Sequence, residues 1–146
     1  EKREEAAQAL QQMWKKAGIE AEIVPLEQVQ LIRAALSRDY QVMPYRWAGG
    51  ADPDKNVYQF FHSKGATNAV NFNNPDMDKL LEAGRATTDK AERLKIYRQV
   101  NDMLAKELPY LFLAYFDNIA LVNPVVKDLQ SAPDGLLRLH SAWKTK

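Results

Sequence analysis

The sequence changes from a helical to an extended pattern within Ala17-Gly18-Ile19-Glu20-Ala21-Glu22-Ile23. Upstream of this stretch, apolar residues recur at steps of three and four, which predicts an amphipathic helix. These residues are Ala6, Leu10, Met13, Trp14 and Ala17. Gly18 stands where a left-handed helix cap is expected, and the alternation of apolar residues with glutamates after it predicts a strand with one buried face. A helix that leads into a strand indicates a chain of the α/β class.

Helical and extended patterns continue to alternate along the chain. A second helical stripe comprises Leu26, Val29, Ile32 and Leu36. The aromatic segment 40–47 predicts a second strand, and a short helix is expected over 56–62. Another helix begins at Asn74-Pro75-Asp76, with Met77, Leu80 and Leu81 facing the core. With two last strands over 110–116 and 119–122, the order predicts a mixed sheet flanked by helices.

The strongest helical pattern in the chain follows Asp89. We expect Asp89 to cap this helix and Glu92, three residues later, to act as its capping-box partner. Its predicted buried stripe consists of Leu94, Tyr97, Val100, Leu104 and Leu108. Pro109 ends the helix, because proline has no N–H to donate and its ring obstructs the preceding turn.

Composition narrows the classes of function. The 146 residues carry a formal net charge of +1, with 46% hydrophobic and 27% charged residues, which is typical of a globular domain. Nucleic-acid binding is not expected, because phosphate contacts require clustered cations and the basic residues here are scattered. The absence of cysteine excludes thiol nucleophiles, zinc–thiolate sites and disulfides.

The start of the chain indicates that it comes from a longer protein. It opens on Glu1-Lys2-Arg3-Glu4-Glu5, inside a charged helical pattern and without an initiator methionine. We therefore expect a fragment of a longer protein, in which any export signal lies upstream. No apolar run approaches the roughly 20 residues that a membrane span requires.

One stretch carries most of the functional content: Tyr45-Arg46-Trp47-Ala48-Gly49-Gly50-Ala51-Asp52-Pro53. It lies at the end of a predicted strand, which is where open α/β sheets bind their ligands. Trp47 can cover a ligand with a flat apolar face, and the glycines let the backbone offer N–H and C=O groups. The alternative is structural: Trp47 packs in the core and Gly49-Gly50 forms a turn.

Several short segments carry a family signature through their order and spacing. They are Ala9-Leu10-Gln11 and the stretch 17–23; Asp39-Tyr40-Gln41-Val42-Met43 with Trp47 and Asp52-Pro53; Asn68, Phe72, Asn74-Pro75 and Asp78-Lys79-Leu80-Leu81; Ala86-Thr87-Thr88-Asp89 with Arg93, Tyr97 and Leu104; and Pro109 with Leu111-Phe112-Leu113. Each piece alone is common. Together, over nearly the whole chain, they resemble the C-terminal part of the oligopeptide/dipeptide solute-binding proteins, solute-binding protein family 5.

The resemblance implies a periplasmic-binding-protein-like fold of type II, in which two lobes enclose a ligand. Residues 1–117 would form the C-terminal, ligand-binding second lobe, and residues 118–146 would cross over and complete the first lobe. The whole protein would capture a small organic solute, in the first place a peptide-like one, in the inter-lobe cleft. It would act in the periplasm or elsewhere outside the cytoplasm and deliver the solute to an ABC permease in the membrane.

Several alternatives stay open beside this interpretation. The parent protein could be lipid-anchored through the missing N-terminus or free. The same fold could serve as a non-transport sensor or interaction module. It could also bind nickel or another metal chelate, as relatives in this family do.

The resemblance also assigns candidate ligand contacts and shows one departure. Peptide-binding members place an aspartate three residues after the tryptophan to pair with the ligand ammonium group, whereas this chain has Gly50 there. Asp52 is the only carboxylate of the loop, and its alternative role is that of a turn residue before Pro53. Arg46 could pair with a ligand carboxylate as a bidentate donor. The other candidates are Tyr45, Trp47, Ala48, Gly49, Asn68, Phe116 and Asp117, for which loop stabilisation or packing is the alternative.

Catalysis is not expected from this sequence. The histidines, His62 and His140, each adjoin a serine, but neighbours in sequence do not point at each other as a nucleophile and its base must. Asp52 and Asp54 are the remaining acid–base candidate, and carboxylates in a turn are usually solvated. The sequence also has no nucleotide-binding, nucleophile-elbow or zinc-protease motif. We therefore expect no cofactor and no metal site within the chain.

Overall fold

A computed structural model describes residues 2–114, 117, 119–132 and 135–145. The chain divides into two compact units, Glu1–Trp47 and Ala48–Lys146. No helix among the described residues is long and apolar enough to cross a membrane.

The first unit contains two helices. Helix α1 spans Lys2–Lys16 and helix α2 spans Gln28–Ser37. The first helix ends as its sequence predicts, because Gly18 adopts a left-handed φ of +80° that side-chain-bearing residues avoid. Beyond the cap, the Gln11 side-chain amide donates a hydrogen bond of 2.7 Å to the Ala21 carbonyl, so the chain leaving α1 runs back beside it.

The two strands predicted in this unit, over 19–23 and 40–47, are not formed. Both segments are irregular, and Ile19 is exposed rather than half-buried. A period-two pattern indicates a chain that can become a strand, but a strand exists only through ladder hydrogen bonds to a neighbour. The described part of this unit supplies no such neighbour.

The second unit is built on three helices. Helix α3 spans Pro53–Phe61, α4 spans Pro75–Ala86 and α5 spans Lys90–Glu107. Helix α4 packs against both α3 and α5. Helices α3 and α4 begin alike, with an Asx cap followed by proline at the first helical position, where no N–H is needed. The start of α4 at Asn74-Pro75 is confirmed, whereas α3 begins at Pro53, three residues before the helix predicted over 56–62, because Asp52 caps it.

The start of α5 follows the prediction in one part and departs from it in another. Asp89 is the cap, and its carboxylate accepts the Glu92 N–H at 2.7 Å. The Glu92 carboxylate does not complete a capping box but accepts the Thr87 hydroxyl at 2.8 Å. The same Thr87 hydroxyl oxygen accepts the Asp89 N–H at 3.2 Å, so Thr87 takes the role that was predicted for Glu92.

The core of the second unit lies between α4 and its two neighbours. It comprises Phe60, Phe61, Met77, Leu81, Tyr97, Val100 and Leu104. Gly84 permits the close approach of α4 and α5, because a Cβ there would stand 2.9 Å from the Tyr97 ring. The predicted stripe of α5 is correct at its centre and wrong at its ends. Leu94 and Leu108 are exposed, since α4 covers only the middle turns of α5.

The C-terminal part forms two small antiparallel ladders in place of the predicted mixed sheet. Strand β1 (Val126–Lys127) pairs with β4 (Trp143–Lys144), and β2 (Gln130–Ser131) pairs with β3 (Leu137–Arg138). The strands predicted over 110–116 and 119–122 are not formed by the described residues 110–114 and 119–122. The described residues therefore form a helix-rich chain with two small sheets, which is consistent with the α/β class.

Truncating a leucine side chain of α5 should destabilise the second unit only where that side chain is buried. Leu104 is 5% exposed and Leu94 on the same helix is 54% exposed. Leu104→Ala is expected to lower the free energy of unfolding by about 2–5 kcal/mol, because it leaves a cavity in the core. Leu94→Ala, the matched control, should change it by about 0.5 kcal/mol or less. Urea denaturation followed by circular dichroism measures both, and equal losses would contradict the assigned face.

The Tyr97 hydroxyl is buried and has no hydrogen-bond partner among the described residues. Burial raises the pKa of the Tyr97 phenol above its ordinary value of 10.0, and the Asp54 carboxylate acts in the same direction. The nearby Arg93 guanidinium opposes both and does not outweigh them. The folded chain therefore favours the neutral phenol.

The raised pKa makes folding sensitive to alkaline pH through Tyr97. Above a pH of about 10 the unfolded chain releases this proton while the folded chain retains it, so stability falls as the pH rises. Tyr97→Phe removes that contribution and the unsatisfied hydroxyl together. The free energy of unfolding of the variant should fall less between about pH 9 and pH 11. An equal fall in the free energy of unfolding of the two proteins over that pH range would contradict this assignment.

Candidate functional site

The predicted ligand stretch begins at the end of the first unit. Tyr45 and Trp47 are 48% and 47% exposed, and Arg46 is also exposed. The alternative in which Trp47 packs in a core is therefore not what the described chain adopts. Two half-exposed aromatic side chains, two positions apart, leave flat apolar surface accessible, and aromatic residues of this kind are common in ligand contacts.

The loop 48–52 opens the second unit, and a residue that the sequence analysis missed holds it. The Asn56 side-chain oxygen accepts the Gly50 N–H at 2.7 Å, and its nitrogen donates to the Gly50 carbonyl at 3.0 Å. A Cβ at Gly49 would stand 2.9 Å from the same amide oxygen. The glycines thus let the backbone approach Asn56. The Gly50 N–H and C=O, which we expected to be offered to a ligand, are bonded within the chain.

Asp52 has two structural partners. Its Oδ1 accepts the Asp54 N–H at 2.9 Å, which caps α3, and forms an ion pair of 2.8 Å with Nη2 of Arg93 on α5. The carboxylate therefore works as the entry residue of α3, which is close to the alternative role considered from the sequence. A ligand ammonium group at the same oxygen would compete with Arg93.

The neighbouring carboxylate is also ion-paired. Arg85 of α4 donates from Nε and Nη2 to the two oxygens of Asp54, at 2.8 and 2.9 Å. The guanidinium lies 3.2 Å from the centroid of the Tyr58 ring, and the hydrogen bond to Asp54 raises the pKa of Arg85. Asp52 and Asp54 thus tie the start of α3 to α5 and α4, and neither geometry resembles an acid–base pair with a shared proton.

Asn68 is buried and holds the loop that follows α3. Its Nδ2 donates to the carbonyls of His62 and Phe72, and its Oδ1 accepts the Phe72 N–H at 2.9 Å. These bonds favour the loop-stabilising role over a ligand contact. Asp117 is exposed, and Phe116 lies outside the residues that the structure describes. The ligand contacts predicted for Phe116 and Asp117 remain predictions.

His62 and its neighbours form a polar cluster against α4. Its Nδ1 accepts the Lys64 N–H at 3.0 Å, which places the proton on Nε2, and Nε2 lies 3.2 Å from the Glu82 carboxylate. The Ser63 hydroxyl donates to Asp78 at 2.5 Å and not to His62. The serine is therefore not activated by the adjacent histidine. Within the described ranges no three histidine or carboxylate side chains are grouped as metal ligands.

A family model matches the first part of the chain. Residues 1–68 match the middle region of the bacterial extracellular solute-binding proteins of family 5. The match includes the predicted ligand stretch 45–53 and ends at Asn68.

Relatives of known name match over most of the chain. Oligopeptide-binding protein OppA of Bacillus subtilis is 32% identical over 139 residues, which cover 94% of this chain and 26% of OppA. Di/tripeptide-binding protein 1 of Pseudomonas aeruginosa is 30% identical over 134 residues, covering 89% of this chain and 25% of that protein. Proteins named as nickel-binding and heme-binding also match, at 27% and 28% identity.

A solved structure extends the likeness to the fold. The crystal structure of the ABC transporter substrate-binding protein CtaP from Listeria monocytogenes superposes with a TM-score of 0.63 at 29% sequence identity. The matched region covers 72% of this chain and 22% of CtaP. The family model, the named relatives and this structure agree. The chain is therefore similar to the bacterial extracellular solute-binding proteins of family 5 over most of its length, and it spans about a quarter of the length of the curated relatives that it matches.

Proposed function

We propose that this chain is part of an extracytoplasmic solute-binding protein that captures a peptide-like solute and delivers it to an ABC importer. The observation that carries the proposal is the match of about nine-tenths of the chain to proteins named for binding oligopeptides and di/tripeptides. CtaP is an ABC transporter substrate-binding protein, and the likeness to it supports an importer as the partner. The extracellular character of the family supports a location outside the cytoplasm.

The exposure of the apolar segment after α5 supports a second lobe that is completed by other parts of a longer protein. Leu111, Ile119 and Leu121 are exposed, and Leu121 reaches 99%. Several large apolar side chains exposed within one short segment are typical of a surface that another part of a protein covers. We place the ligand-binding second lobe in residues 1–117 and the crossover that completes the first lobe in 118–146. Pairing with strands of that first lobe would cover these side chains.

The ligand contacts are proposed at Tyr45, Arg46 and Trp47, with the loop 48–52 that follows them in sequence. The half-exposed aromatic faces supply apolar contact, and Arg46 supplies a planar donor for a carboxylate. Asp52 is a poor candidate for the ligand ammonium group, because Arg93 already holds its Oδ1 at 2.8 Å. We therefore propose that this chain recognises its ligand without the aspartate that peptide-binding members place at position 50.

A second candidate function is the capture of a chelated metal. The match to a nickel-binding protein of Staphylococcus aureus, which covers 89% of this chain, favours it. The described residues offer no group of metal ligands, so the metal would be held through its organic chelator. A sensor or interaction module with the same fold is the alternative that does not involve transport.

The solute can be identified directly from the longer protein. Purified under native conditions from its own host, it should retain a ligand with the mass and fragmentation pattern of a short peptide in native mass spectrometry. Removal of that ligand by mild denaturation and refolding, followed by calorimetric titration of the identified peptide, should restore one-to-one binding. A bound nickel chelate would replace the first proposal with the second. A protein that is recovered empty and binds neither kind of solute would contradict both.

The role of Trp47 can be measured on the same longer protein. Trp47→Ala should weaken binding of the recovered peptide at least about tenfold, which corresponds to about 1.4 kcal/mol, because a buried aromatic contact is lost. Trp143→Ala is the matched control, since Trp143 is 53% exposed but belongs to the C-terminal ladder. Equal affinities of the Trp47 variant and the unaltered protein in calorimetry would remove Trp47 from the site.

A further inference from the structure

The loop 48–52 is hydrogen-bonded to a side chain of α3. Asn56, on the second turn of α3, is half-buried and bonds both backbone groups of Gly50 at 2.7 and 3.0 Å. Among side chains, only a primary amide carries an acceptor and a donor on one planar group at this spacing. Asn56 therefore satisfies Gly50 in the way that a neighbouring strand would.

The loop and the helix fit each other closely at this contact. A Cβ at Gly49 would approach the Asn56 Oδ1 to 2.9 Å and its Cγ to 3.5 Å, so a side chain at position 49 would push the amide away. At Gly50 a Cβ would meet only the flexible Lys55 side chain, at 3.0 Å. The requirement for glycine is thus stricter at Gly49, and its cause is the amide of Asn56.

The helix that carries Asn56 is itself fixed at its first turn. Asp52 is paired with Arg93 of α5, and Asp54 is paired through two hydrogen bonds with Arg85 of α4. The core side chains Phe60 and Phe61 hold the other end of α3. A continuous set of contacts therefore runs from the buried helices to Gly50, and it sets the position of the loop without a ligand.

We propose that Asn56 is the positioning residue of the ligand loop: its amide presets residues 48–52 in the shape that receives the solute. The inference rests on the proposed function, and it adds a residue that contacts the loop rather than the solute. A preset loop loses little conformational freedom when a ligand binds, and this raises affinity. Gly50 then acts as the attachment point of the loop, and its backbone groups are not ligand contacts.

The attachment is testable on the 146-residue chain by solvent exchange of backbone amides in NMR. The Gly50 N–H should be protected, and Asn56→Ala should raise its exchange rate about tenfold, the effect of one lost hydrogen bond. Asn56→Asp keeps an acceptor and should retain most of that protection. Alanine favours helix more than asparagine does, so melting of α3 cannot explain a loss in the first variant.

Gln59→Ala is the matched control for this experiment. Gln59 is another amide on α3, but its side chain donates to the Lys55 carbonyl inside the helix and not to the loop. It should leave the Gly50 exchange rate unchanged. A Gly50 rate that is the same in Asn56→Ala and in the unaltered chain would overturn the proposal.

The consequence for binding is measured on the longer protein with tri-alanine as the probe. Asn56→Ala should weaken tri-alanine binding about tenfold, with Asn56→Asp in between, while the thermal midpoint changes little. Faster Gly50 exchange with unchanged affinity would also overturn the proposal, because the loop would then not be preset for the ligand. Failure of the unaltered protein to bind tri-alanine counts against the proposed peptide function, and the exchange experiment still decides the role of Asn56.

Discussion

The burial of α4 between α3 and α5 is the constraint on which the second unit depends. Met77 and Leu81 of α4 and Val100 of α5 have no exposed surface. Close packing there requires Gly84, because any side chain at that position would collide with the Tyr97 ring. The same packing encloses the Tyr97 hydroxyl without a partner among the described residues, so the contact combines a tightly packed interface with one unsatisfied polar group.

Ion pairs and hydrogen bonds connect the packed helices to the loops at their ends. At the start of α3, Asp52 and Asp54 form ion pairs with arginines of two different helices. On the surface such ion pairs contribute little to stability. Their value here lies in geometry, since they fix the helix whose Asn56 holds the Gly50 loop. The buried side-chain amide of Asn68 holds the loop after α3 through hydrogen bonds to the backbone.

The likeness to the solute-binding proteins of family 5 and the geometry of the predicted ligand loop are two independent observations on this chain. The match to peptide-binding relatives supports the class of function that we propose, and the structure describes the loop at which this chain differs from them. This chain has Gly50 at the position where the resemblance implies an aspartate in peptide-binding members. The backbone of Gly50 is hydrogen-bonded to the side-chain amide of Asn56. We therefore propose that other contacts meet the polar ends of the solute and that the exposed side chains of Tyr45 and Trp47 contact its apolar part.

Five helices, the helix caps at Gly18, Asn74 and Asp89, and the likeness to family 5 could all be predicted from the sequence, because local spacing and short segments encode them. It did not determine the strands, since 19–23 and 40–47 have strand periodicity but no ladder partner in the described chain. The exposure of Leu94 and the hydrogen bonds from Asn56 to the loop became visible in the folded chain alone. Which face of a helix is covered, and which amide meets which backbone group, depends on residues brought together by packing, and spacing along one chain does not carry that information.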